Sequence, residues 1–165
     1  MKIRPIAQAD FSEVLALNEE SVNYLSPLSA IQLALLHAQS AFHRVVEDEG
    51  RVIAFLLAFQ QGADYDSVNY LWFAQRYPQF LYIDRVVVSQ QVQSKGAGTL
   101  LYREVFKHAA QQHIPFVTCE FDVAPPNPVS EKFHGKFDFT EVGRQSVANG
   151  KKIVSLQIAR ISSDQ

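Results

Sequence analysis

Along this chain the spacing of apolar positions changes repeatedly, and each change marks an element. Residues 2–6 read as a short strand. Phe11, Val14, Leu15, Leu17, Val22 and Leu25 then form a helical stripe. Asp10 is its expected N-cap, with Glu13 completing a capping box. Ser26-Pro27 restarts a second helix carrying Ile31, Leu33, Leu35 and Leu36. Residues 42–47 and 51–59 read as strands joined by Asp48-Glu49-Gly50, where glycine supplies the positive φ of a tight hairpin. Val68, Leu71, Trp72 and Gln75 suit a short helix.

Residues 80–88 form a strand whose end, Val86-Val87-Val88, is β-branched and suited to burial on both faces. Residues 98–113 are helical, with Leu100, Leu101, Val105, Phe106 and Ala109 at three-four spacing. Residues 115–123 form a strand, 128–137 a short helix, 139–147 a strand and 151–161 the last strand. Asn149-Gly150 marks the final hairpin. The hairpins impose antiparallel pairing and the helical crossover between Val88 and Phe116 imposes parallel pairing. The fold class is therefore α/β with a mixed sheet.

The chain has 165 residues, 47% apolar and 19% charged. This suffices for one packed domain over 1–165, without linker or repeat. Fifteen basic and seventeen acidic residues leave a net charge of -2, which excludes a generally basic nucleic-acid binder. Cys119 is the sole cysteine, so there is no internal disulfide and no cysteine-built zinc site. His37, His43, His108 and His113 show no metal-ligand spacing, and no metal is expected. The apolar run over 52–59 is too short to cross a bilayer. Met1-Lys2-Ile3-Arg4-Pro5 opens no apolar leader, so the expected location is cytoplasmic.

The most informative segment runs from Val86 through Ser89 to Leu101. A strand feeds a polar loop, then Gly96 and Gly98, then an amphipathic helix. Glycines let a backbone approach a ligand closely. The helix start offers unpaired N–H groups and the positive end of a dipole, suited to phosphate, and Lys95 adds a charge. The spacing is neither that of the Walker loop nor the Gly-x-Gly-x-x-Gly dinucleotide fingerprint, since Leu101 occupies the third glycine position.

Gln93-Ser94-Lys95-Gly96-Ala97-Gly98 resembles the Gln/Arg-x-x-Gly-x-Gly/Ala motif of the GCN5-related N-acetyltransferases (GNAT). Asn127 to Phe139, reading Asn-Pro-Val-Ser-Glu-Lys-Phe-His-Gly-Lys-Phe-Asp-Phe, is similar to that family's Asn-x-x-Ala/Ser-x-x-Phe-Tyr-x-Lys-x-Gly-Phe segment. The order of elements matches too. The resemblance implies a mixed, centrally splayed sheet of about seven strands flanked by about four helices. It also implies acetyl-CoA as cosubstrate. Its pyrophosphate would lie on Gln93, Ser94, Lys95, Gly96, Ala97, Gly98 and Thr99, and its pantetheine along the backbone of Val86, Val87 and Val88. Asn127 would support the cofactor or the nearby strand end. Two positions depart from the pattern: His134 replaces a tyrosine and Asp138 a glycine.

Acetyl transfer to an amine needs a neutral amine, an oxyanion donor and a proton for the departing thiolate. His134 is the candidate acid, in the motif's tyrosine position. Asp84 and Glu120 are the candidate bases, each a carboxylate in an otherwise apolar strand. Strand parity puts Asp84 on the face of Val86 and Val88, and Glu120 on that of Thr118 and Asp122. The alternative for Asp84 is a salt bridge to Arg85, and for Glu120 a solvated edge. Cys119 reads as a small buried hydrophobe.

Asn18, Glu19, Glu20 and Asn23 could receive a cationic amine, and Tyr24, Tyr65, Tyr70, Trp72 and Tyr77 could line its pocket. The acceptor class is a small-molecule or peptide amine, with no nucleic-acid or membrane partner. Leu71-Trp72-Phe73 and the apolar last strand predict a homodimer. Two other readings are a non-catalytic acyl-CoA-binding or regulatory module and a plain interaction domain.

Overall fold

The computed structural model describes residues 1–22, 25–93 and 95–162. Ser94, Asn23 and Tyr24 lie outside the described residues. The elements in chain order are β1 (Lys2–Pro5), α1 (Phe11–Glu19), α2 (Ala30–Gln39), β2 (Phe42–Asp48), β3 (Arg51–Gln60), α3 (Val68–Ala74) and β4 (Leu81–Val88). There follow α4 (Ala97–Gln111), β5 (Phe116–Ala124), α5 (Pro128–Gly135), β6 (Thr140–Val147) and β7 (Lys152–Arg160). The strands form one seven-stranded sheet in the order β1-β2-β3-β4-β5-β7-β6. Five α-helices flank it, one more than the expected four, because the short segment at Val68 is a true helix.

Local chemistry explains the turns. Glu49 and Gly50 both take positive φ, 51° and 77°, in the β2–β3 hairpin. The β6–β7 turn uses three such residues, Ala148, Asn149 and Gly150. Asp138 stands at φ 61°. The turn into β6 needs the left-handed region, and aspartate, like the expected glycine, tolerates it.

The helix starts differ from expectation. Asp10 does not cap α1 with its side chain. Its carboxylate instead accepts from the Ala7 N–H at 2.7 Å and from both Arg4 terminal nitrogens at 2.7 and 2.9 Å. Glu13 accepts from the Val52 N–H at 3.0 Å, tying α1 to β3. The second helix starts at Ala30, not at Ser26-Pro27. Ser29 and Gln32 bond one another's backbone N–H groups in a capping box there.

Three apolar clusters hold the sheet. One lies under α4 and includes Ile83, Leu101, Tyr102, Val105 and Val117. A second joins α1 and α2 to Val45, Phe55 and Val87. The third joins α3 to Phe59, Tyr82 and Leu156. Trp72 of α3 is half-buried against Gly143 of β6, where an added Cβ would come within 2.5 Å of the indole. Phe73 and most of β7 are buried inside the chain. Of the apolar surface that motivated a homodimer, Phe73 is covered and Trp72 partly so, while Leu71 and Ile153 remain exposed.

Every neighbouring pair of strands is antiparallel except β4 and β5. These run parallel and pair only at Leu81 with Val117 and Tyr82 with Thr118. Beyond those rungs β4 continues to Val88 and β5 to Ala124 without further mutual pairing. The sheet therefore opens in a V at its centre.

Candidate functional site

The V leaves the β5-facing edge of β4 without a partner strand after Tyr82. Unpaired backbone groups of this kind accept an extended ligand as they would an added strand. Val86, Val87 and Val88 form that edge, with Val87 buried and the other two half-buried. At its end Ser89 turns the chain, its N–H donating to the Ile53 carbonyl at 2.8 Å. Gln93, Lys95 and Gly96 are exposed, and Ala97 starts the 15-residue helix α4.

Gly96 stands at φ 88° as the N-cap of α4, with open space where a Cβ would be. Leu100 N–H closes the first turn on the Gly96 carbonyl at 2.9 Å. Gly96 itself has no side chain to cap the turn, and a helix start offers its first N–H groups with the positive end of the dipole behind them. Gly98 also has a packing task. Its missing Cβ faces Phe133 and Val88, at 3.5 and 3.6 Å, and not the loop. Gly98 lets α4 pack close to α5 and β4, Ala97 is buried in the core and Thr99 is half-buried.

Asn127 caps α5, accepting from the Ser130 N–H at 3.3 Å, with Pro128 at the first helical position. Its Oδ1 thus serves the start of α5.

His134 sits near the end of α5. It is buried, ringed by Tyr102, Phe121, Phe133 and Phe139. Its Nδ1 lies 2.7 Å from the Ser130 carbonyl, which only accepts, so Nδ1 carries the proton. Nε2 is then an acceptor, and the Tyr102 hydroxyl donates to it at 2.6 Å. Burial holds the imidazole below its usual range. A neutral ring with both nitrogens engaged is poorly suited to protonate a thiolate.

Asp84 sits at an irregularity of β4: Leu57 pairs with Arg85 and Ala58 with Ile83, which leaves Asp84 as the extra residue of a β-bulge. The bulge overturns the parity expectation. Val86 and Val88 pack toward α4, whereas Asp84 accepts a hydrogen bond from Tyr65, which stacks on Phe59 in the cluster around α3. Asp84 also pairs with Arg85 at 2.7 Å, both side chains being buried. Arg85 is held further by the Asn18 side chain at 3.0 Å and by Ser26. The Asp84 charge is compensated. Asn18 is buried and serves this network, so it does not face an acceptor amine. Tyr70 and Phe73 are core, and Trp72 is held by Gly143, so only part of the expected aromatic set is free to line a pocket.

Glu120 is neither solvated nor salt-bridged. It is half-buried just past the last β4–β5 rung. The Tyr82 hydroxyl lies 2.9 and 2.8 Å from its two oxygens, and Asn69 Nδ2 donates to Oε1 at 3.1 Å. Burial, with the nearby charges of Asp84 and Asp122, pushes its carboxyl up to about 8, against the two hydrogen bonds, which favour the charged form. Cys119 beside it is buried, and its thiol is pushed up. Tyr82 and Asn69 were not read from the sequence. Tyr82 lies two residues before Asp84 and parity could have suggested it, but nothing local marks Asn69.

Among the described residues no group of three or more histidine, cysteine, aspartate or glutamate side chains could hold a metal ion. No described helix is long and apolar enough to cross a membrane.

The family model of the acetyltransferase (GNAT) family matches residues 3–139. No curated protein is similar enough in sequence to match. Among solved structures, the chain resembles the ribosomal-protein-S18-alanine N-acetyltransferase of Escherichia coli (TM-score 0.73, 12% identity, covering 98% of this chain and 94% of that one). It also resembles an N-acetyltransferase of Staphylococcus aureus Mu50 (0.75, 15%, 98% and 98%). A third likeness is to yncA of Salmonella typhimurium, solved with its cofactor acetyl-CoA (0.74, 17%, 98% and 94%).

Proposed function

The chain belongs to the acetyltransferase (GNAT) family, and from that premise we propose that it moves an acetyl group from acetyl-CoA to a primary amine by direct attack on the thioester. The observation that carries this reading is Glu120, a carboxyl raised to about 8 near the apex of the V and held by Tyr82 and Asn69. The N-terminus of α4, with Gly96 at its N-cap, suits a pyrophosphate, and the open edge of β4 suits a pantetheine arm.

An acceptor arrives as an ammonium ion. Its positive charge lowers the Glu120 carboxyl toward the ionised form, and Glu120 then takes one proton from it. The neutral nitrogen forms the C–N bond as the C–S bond breaks. Backbone N–H groups at the edge of β4 face the developing oxyanion. The thiolate takes the second amine proton, directly or through water, because His134 has none to give from Nε2. Asp84, neutralised by Arg85, holds the bulge in shape.

A screen of thiol release from acetyl-CoA against small amines and N-terminal peptides tests this reading. Turnover with at least one amine, lost in Glu120→Gln, is expected. A non-catalytic acyl-CoA-binding module is the second reading, favoured by the engaged His134. It predicts CoA binding without turnover on any amine. A cytoplasmic location and self-association belong to the same proposal.

A further inference from the structure

Glu120 does not choose its own orientation. Asn69 Nδ2 donates to Glu120 Oε1 at 3.1 Å, and Asn69 Oδ1 accepts from Gln145 Nε2 at 2.7 Å. When Glu120 is ionised it only accepts, so Asn69 then turns its NH2 toward Glu120 and its carbonyl toward Gln145. Gln145 must then present its own NH2, which also approaches the Val68 carbonyl at 3.3 Å. The direction of both amides is forced from one end. The same two elements are clamped a turn away by Trp72 on Gly143. Gln145 lies on β6, outside the span that matches the family model.

We propose that Gln145, acting through Asn69, is a positioning residue that sets the orientation and basicity of Glu120, so that the edge strand β6 governs the site between β4 and β5. The proposal rests on Glu120 as the base. Donation from Asn69 occupies Oε1 and favours the charged form, while Tyr82 holds the carboxyl from β4. The other charges facing Glu120 are on β4 and β5. Asp84 is paired with Arg85, and Asp122 with Lys152 at 3.4 Å. Tyr102 and Cys119 are buried on the α4 side. None of these is touched by a change at Gln145.

Gln145→Glu reverses the relay. A glutamate there accepts only, so Asn69 turns its NH2 toward it and its carbonyl toward Glu120. The Glu120 side-chain carboxyl is followed by carbon-13 NMR in the full-length protein, its resonance assigned with Glu120→Gln. In Gln145→Glu its midpoint should rise by about one unit, from a lost donor, a repelling dipole and the new negative charge on β6. Gln145→Met, which keeps the length and removes the donor, should raise it less. With acetyl-CoA and an accepted amine, the acid limb of kcat/KM should move with the midpoint. A merely structural Gln145 would lower the melting temperature and leave both midpoints of the uncharged Gln145→Met protein where they were. An unchanged midpoint in folded Gln145→Met protein, whatever the new charge does in Gln145→Glu, overturns the proposal and leaves Glu120 as the base. A wild-type pH profile in Glu120→Gln removes the base itself, and with it the catalytic meaning of the relay.

Discussion

The Tyr102 hydroxyl and His134 Nε2 lie 2.6 Å apart, with the proton coming from the phenol, because the Ser130 carbonyl claims the proton on Nδ1. The imidazole in the motif's tyrosine position is therefore a structural acceptor. His134→Ala should leave a buried hydroxyl unsatisfied and open a cavity. Together these cost on the order of 3 kcal/mol. Denaturant titration should show that loss, while turnover of the folded fraction changes only a few-fold and keeps both limbs of its pH profile. A selective loss of turnover by about 100-fold, with stability intact, would restore the acid role.

At Gly96 the prediction concerns conformation. Its φ of 88° costs an alanine about 1–2 kcal/mol, and a β-branched valine more. Gly96→Val should reshape the start of α4, and calorimetry with CoA should show binding lost from a folded protein. Gly98 separates from it. A single methyl there meets Phe133 and Val88 at ordinary contact distance, so Gly98→Ala should keep both stability and CoA affinity. The larger Gly98→Val should fail by overpacking the α4–α5 contact, costing about 1–3 kcal/mol.

The Glu120 carboxyl, raised from 4.5 to about 8, binds its proton more tightly folded than unfolded. Its contribution is complete below the unfolded value and is lost as pH rises through the window up to about 8. Glu120→Gln should flatten that alkaline decline in a pH series of melting temperatures. It should also lower kcat by about 100-fold and remove the acid limb. A mutant with the wild-type decline would deny the raised value.

His43 acts in the opposite direction. Burial, with His37 and Arg44 adjacent, lowers it to about 3, so the unfolded chain takes up a proton that the folded one refuses. Stability falls as pH drops from 6.5 toward 3, with a limiting slope of about 1.4 kcal/mol per unit for this group. His43→Leu should shallow that acid decline. An unchanged slope would mean His43 protonates freely in the fold.

A Cβ at Gly143 would sit 2.5 Å from the Trp72 indole, so Gly143→Ala should displace α3 from β6 and cost about 1–3 kcal/mol. Trp72→Phe should recover part of this loss in a double-mutant cycle. Additive losses would place the strain elsewhere.

Much of the architecture follows from sequence alone, because its causes are local. Alternation and three-four spacing mark the strands and helices, and the left-handed positions at Gly50, Asn149, Gly150 and Gly96 mark the turns. The strand, glycine turn and helix start are contiguous, so the candidate cofactor loop is legible as a unit. What needed the tertiary structure was the side on which each reactive group ends up. One extra residue at Asp84 breaks the period of two and turns its carboxylate away from Val86. Residue identity made His134 look like an acid, but it lies under α4, where Tyr102 meets it from 32 positions away. Glu120 owes its environment to Asn69, 51 positions distant, and Asn69 owes its orientation to Gln145, 76 positions distant. No local pattern encodes such pairs, because a hydrogen bond is directed in space and only the closed sheet brings these groups within reach.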